Sequence, residues 1–123
     1  MKTVGDKLGI FAVTGVNPGK DDFFTITDES FAGKWKVIVF YPKDFTFICP
    51  TEIAGMDILT EHANVVGISG DNEYCKLAWK QDNHMIGEID HILAADCGLQ
   101  LADELGIVDH DNGVAYRATF IFD

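Results

Sequence analysis

Residues 35–62, WKVIVFYPKDFTFICPTEIAGMDILTEH, constrain the chain more than any other stretch. Trp35 to Tyr41 is an unbroken β-branched and aromatic run, interrupted only by Lys36, and such a run predicts a strand covered on both faces. Pro42, Lys43 and Asp44 break it. From Ile53 the apolar residues Ile53, Met56 and Leu59 recur every three positions while Asp57, Thr60 and Glu61 stay polar, which predicts a helix. Cys49 then falls at the helix start. Pro50 follows it, a residue tolerated in a first turn because its missing N–H would have no partner there. A helix N-terminus offers unpaired N–H groups and partial positive charge, and both favour a thiolate over a thiol. Thr46 can cap the same turn or aim its hydroxyl at the sulfur. On the residues alone, Thr46 as a simple cap and Cys49 as a small buried side chain is an equally open reading.

The pattern Pro42-x-x-x-Thr46-x-x-Cys49, within FYPKDFTFICPTE, resembles the active-site signature of the peroxiredoxins, in the alkyl hydroperoxide reductase C and typical two-cysteine branch. The resemblance implies an α/β, thioredoxin-like fold with an N-terminal β extension, and Cys49 as the peroxidatic cysteine. It also implies that Pro42 shields the sulfenate from water and excess oxidant.

With 123 residues, of which 47% are hydrophobic, the chain suits one domain, residues 1–34 as the extension and 35–123 as the core. No repeat or low-complexity linker appears. A net charge of −11 argues against nucleic acid or an anionic membrane as partner. No stretch approaches a membrane span, and MKTVGDKLG lacks the apolar centre of a signal peptide. Cys49, Cys75 and Cys97 form no CxxC pair and no zinc spacing, which points to free thiols in a reducing, cytoplasmic setting. No metal, haem or flavin is expected.

Strands are expected at Phe11–Val16, Phe23–Thr27, Val65–Ser69, Ile92–Ala95 and Ala115–Phe122. Helices are expected over Glu73–Asn83, with Tyr74, Leu77 and Ala78 on one side, and over Leu99–Leu105, closed by Gly106. Asp109 to Gly113 is a turn with Asn-Gly as its corner. The alternation predicts parallel strands joined by right-handed crossovers. Gly67-Ile68-Ser69-Gly70 is one residue short of a nucleophile elbow and reads as a strand end. Asp109, Asp111 and Asn112 resemble a calcium loop in composition alone. His84 and His91 lack further ligands at metal spacing and read as surface or packing residues, and Trp79 reads as packing.

Arg117 interrupts an apolar strand, AYRATFIF, and strand alternation puts its side chain on the face of Ala115 and Thr119. A guanidinium there needs an anion, and Glu52 is the candidate for a buried salt bridge. The resemblance implies instead that Arg117 points at the peroxidatic sulfur and the bound peroxide, with Glu52 accepting from it.

Thiolate supply is a small part of the chemistry. A free thiol with pKa near 8.5 is about 3% thiolate at neutral pH, and lowering the pKa to about 6 raises this to about 90%. That roughly thirtyfold gain is under ~2 kcal/mol of barrier. The larger part must come from aligning the peroxide and stabilising charge on its oxygens, for which Thr46, the Cys49 N–H and Arg117 are the donors. The expected reaction is peroxide reduction through a Cys49 sulfenic acid, a second thiol and an external dithiol of the thioredoxin or alkyl hydroperoxide reductase kind.

Members of the resembled branch continue past the arginine strand through another strand, a long helix and a tail bearing the resolving cysteine. The expectation is therefore a C-terminally truncated member whose homo-oligomer is weakened and whose sheet has an exposed edge. Cys75 and Cys97 follow strand ends, and for each a structural role is favoured over a resolving one. Two other readings stand beside the peroxidase: a folded fragment or assembly module without turnover, and a disulfide oxidoreductase, which the lack of CxxC opposes.

Overall fold

The computed structural model describes residues 11–16, 23–27, 29–30, 35–44, 53–87, 89 and 91–122. Its centre is a six-stranded sheet built from β1 (Ala12–Val16), β2 (Phe23–Thr27), β3 (Lys36–Phe40), β4 (Asn64–Ser69), β5 (Ile92–Ala95) and β8 (Ala118–Phe122), in the order β2-β1-β5-β4-β3-β8. Strands β3, β4 and β5 run parallel, with Phe40 opposite Ile68 and Ser69 opposite Ala95. The outer pairings β1–β5, β1–β2 and β3–β8 are antiparallel. The expected parallel arrangement thus holds for the middle three strands alone. The N-terminal strand pair is built into the sheet, because β1 bonds directly to β5.

All five residues of β3 are buried, as its unbroken apolar run predicts. Ile38 and Phe40 face one core with Val66, Ile68 and Ala94, closed by Leu101, Ala102 and Leu105 of α3 (Gln100–Glu104) and its C-cap. Val37 and Val39 face the opposite side with Val65, under Met56 and Leu59. On that second side, α1 (Glu73–Asp82) and α2 (His84–Gly87) bring Trp79 and Ile86 against Tyr41, Ile53, Ile89 and Leu93. Trp79 is therefore a core residue.

Three expectations about local structure change. Residues 53–55 are α-helical, but Met56–Glu61 forms a 3-10 helix. Met56 and Leu59, three residues apart inside this tighter helix, align over Val37, Val39 and Val65, whereas Ile53 precedes it and packs with Tyr41 and Trp79. Helix α3 begins after Leu99, because Leu99 has a left-handed backbone, φ 58°, behind Gly98 at φ 80°. The predicted strand Ala115–Phe122 is broken at Tyr116 and Arg117. Its first part, β7 (Val114–Ala115), pairs with β6 (Val108–Asp109), whereas β8 pairs with β3. The chain changes partner at the break, with the Tyr116 N–H donating to the Ile107 carbonyl at 2.7 Å. The turn between β6 and β7 is as expected: Gly113 adopts φ 66°, and its N–H donates to the Asp109 carbonyl.

Candidate active site

The carboxyl ends of β3 and β4 lie side by side, and polar side chains gather there. Tyr41, directly after β3, is buried, and its hydroxyl donates to Asp44 Oδ1 at 2.6 Å. Ser69, the last residue of β4, donates to the same oxygen at 3.2 Å. Lys76, one turn into α1, is fully buried. Its Nζ donates to Ser69 Oγ at 2.6 Å, to Asp44 Oδ2 at 3.3 Å and to the Asp71 carbonyl at 3.2 Å. The ammonium also stands 5.4 Å from the Tyr41 ring centre. The Asp44 N–H donates to Asp71 Oδ2 at 2.7 Å, which ties the Pro42–Asp44 turn to the β4–α1 loop.

Burial governs the protonation of this group. It raises the Asp44 pKa, opposed by Lys76 and the Tyr41 hydrogen bond, and lowers that of Lys76, opposed by Asp44. The mutual attraction at 3.3 Å favours the charged form of each and opposes the effect of burial. Burial, then the Asp44 charge, pushes the Tyr41 phenol well up, so it stays a donor.

Helix α1 runs over nearly the residues expected, capped by Asn72, whose side chain accepts from the Cys75 N–H at 2.8 Å. Its buried face is a correction. Lys76, Trp79 and Lys80 point inward, while Tyr74 and Ala78 are exposed. Lysines are ordinarily assigned to the wet side of a helix, so hydrophobic spacing picks Tyr74, Leu77 and Ala78 and misses the face that Lys76 and Lys80 share with Trp79. Neither Asp44 nor Lys76 was singled out by sequence. The buried Asp partner of Lys76 lies 32 residues away, and no local pattern signals that pairing.

The predicted site residues divide in two. Cys49, Thr46 and Glu52 lie outside the described residues. Pro42 and Arg117 lie within them. Pro42 is half-buried, two positions past the end of β3. Arg117 precedes β8, whose Ala118 is paired with Phe40, so the register brings Arg117 to the same end of the sheet as Tyr41 and Pro42. Its side chain is exposed and sits in the break before β8, which corrects the expectation of a guanidinium inside a continuous core strand. With the ladder interrupted, alternation no longer assigns its face.

His91 is buried, and its Nδ1 lies 2.6 Å from Asp57 Oδ1, so it is a packing residue with a carboxylate partner. The side chain of His84 is outside the description. Cys75 is half-buried at the start of α1, and Cys97 is exposed beyond β5. Desolvation and the Glu73 carboxylate raise the Cys97 pKa, against the pull of Lys76.

The chain matches Enterococcus faecalis AhpC with a TM-score of 0.93 at 36% identity, covering all of this chain and 75% of that one. It matches the reduced 2-Cys peroxiredoxin of Plasmodium vivax with a TM-score of 0.87 at 31% identity, covering 98% and 78%. The fold is the thioredoxin-like α/β fold of peroxiredoxins. The AhpC/TSA family model matches residues 4–123, and the chain belongs to that family. Alkyl hydroperoxide reductase C of Mycolicibacterium smegmatis is 38% identical over 98% of this chain, which spans 69% of that relative.

Proposed function

We propose that this chain is a thiol-dependent peroxidase that reduces hydrogen peroxide and alkyl hydroperoxides. The Cys49 thiolate attacks the terminal peroxide oxygen. The S–O bond forms as the O–O bond breaks, the leaving oxygen takes a proton to become water or an alcohol, and Cys49 is left as sulfenic acid. A second thiol condenses with it, releasing water, and an external dithiol reduces the resulting disulfide.

The observation that supports this most directly, beside family membership, is the common placement of Pro42 and Arg117. They lie at adjacent strand ends, and Pro42 stands seven residues before Cys49 in the sequence. On this reading Thr46, the Cys49 N–H and Arg117 donate to the peroxide oxygens, Pro42 limits access of water, and Glu52 orients Arg117. The raised Cys97 pKa leaves that thiol little thiolate and disfavours it as the resolving group. We place the protein in the cytoplasm on its cysteine pattern. We also expect self-association, with β8 at the sheet edge among the described residues.

The test is thiol count and intact mass of the reduced protein before and after a stoichiometric dose of hydrogen peroxide, with Cys49→Ser alongside. Rapid Cys49-dependent thiol loss is expected. A gain of one oxygen marks sulfenic acid, and a loss of two hydrogens marks resolution by Cys75 or Cys97. Oxidation no faster than that of a free cysteine would remove the peroxidase reading.

A further inference from the structure

The described end of the site contains a buried charge cluster for which the reaction itself has no use. Asp44 is held from four directions: by Tyr41 just after β3, Ser69 from β4, Lys76 from α1, and Asp71 through the Asp44 backbone N–H. Every donor on its carboxylate comes from a buried residue. Burying an ion pair costs several kcal/mol of desolvation per ion, and hydrophobic residues of the same volume are often as stable or more so. Stability is thus a poor account of the pair. Position is a better one. Asp44 is five residues before Cys49, and five residues span at most about 18 Å. Asp44 is also the last described residue before the segment that carries Cys49, so a fixed Asp44 backbone fixes the point from which that segment departs.

Resting on the peroxidase reading above, we propose that Lys76 and Asp44 are positioning residues. Lys76 clamps the Asp44 carboxylate to the ends of β3 and β4, and this clamp sets the starting point of the Cys49 segment. The charged and titratable groups facing Lys76 are Asp44, Tyr41, Asp71 and, across the loop after β5, Cys97. None of them is placed in the reacting set. The tie acts through the backbone, and misplacing a reacting atom by about 1 Å can cost on the order of a hundredfold in rate.

The experiment uses the reduced protein with Asp44→Asn, Lys76→Met and the pair combined. Asp44→Asn keeps the side-chain shape, and the combined variant leaves no uncompensated buried charge, so at least one of the three stays folded by circular dichroism. Two readouts are taken on each: the pH profile of Cys49 alkylation by iodoacetamide, read by peptide mass, and the rate of Cys49 oxidation by hydrogen peroxide. The folded variants are expected to shift the alkylation profile toward that of a free thiol and to slow oxidation by about a hundredfold. Folded variants that keep the wild-type profile and rate would overturn the proposal. So would a wild-type profile already equal to that of a free cysteine. A wild-type protein with a lowered Cys49 profile but no peroxide reaction would remove the peroxidase reading alone, and the alkylation profiles would still judge the clamp.

Discussion

Lys76 and Lys80 sit one turn apart on α1, and both carry their ammonium groups into the interior. Lys76 meets a carboxylate, a hydroxyl and a carbonyl at the carboxyl ends of the strands. Lys80 Nζ, also buried, has no hydrogen-bond partner among the described residues. Burial lowers its pKa to about 8, and the Asp57 charge opposes that only in part. The comparison separates two uses of the same residue type. At one end of the helix a charge is completed by a network that draws three elements together. At the other, the ammonium is buried without such a network among the described residues.

The largest effect is expected at the completed end. Lys76→Met leaves the Asp44 carboxylate buried without its cation and should cost about 3–5 kcal/mol in urea unfolding at neutral pH. An equal loss from Lys80→Met would erase the distinction between the two lysines. Lys80→Met should instead stabilise the protein, by up to about 3 kcal/mol near neutral pH, the equivalent of a shift from 10.5 to about 8. The sign follows from linkage. The unfolded chain holds the Lys80 proton up to its ordinary pKa, whereas the folded chain releases it near 8, so wild-type stability from this group rises with pH between those values. The advantage of Lys80→Met should therefore shrink as unfolding is repeated from about pH 8 upward. A constant advantage would show that packing, not charge, sets the difference.

Smaller changes sharpen the comparison. Asn72→Ala removes the cap at the Lys76 end of the helix and should cost about 1 kcal/mol. Hydrogen exchange should then quicken at the Cys75 amide, which loses its bond to Asn72, before it does in the last turn. The combined Asp44→Asn and Lys76→Met variant should fall within about 1 kcal/mol of wild type, because a buried pair replaced as a unit is close to neutral. A loss as large as that of Lys76→Met alone would mean that the network carries stability after all.

Much of the fold was legible because it rests on periodicity. The unbroken run in β3 announced two covered faces, and the span of α1 and the turn before Gly113 followed from local residue choice. Other features were set by distant partners. Residues 115–122 read as one strand, since every position but Arg117 suits a sheet, yet β6 and β3 claim different parts of it. The three-residue spacing of Ile53, Met56 and Leu59 was visible, but a period of three fits a loosely sampled α-helix as well as a 3-10 helix until the packing under Val37 and Val39 decides. The motif located Cys49, Thr46 and Pro42 along the chain. It had nothing to report on Asp44 and Lys76, whose meaning arises only when two strand ends and a helix converge.

The interleaving of the sheet has a kinetic consequence. Strand β5 joins β1 across roughly eighty residues of chain, and β3 must wait for β8 before its second edge is paired. Loop-closure entropy of this kind is spent before the contacts that reward it can form, and a fold dominated by such distant pairings is a slow folder. During synthesis, β3 and β4 can meet early and expose two apolar faces while their flanking strands are still being made. Among the described strands, the second edge of β3 is therefore paired only once residues 118–122 have been made.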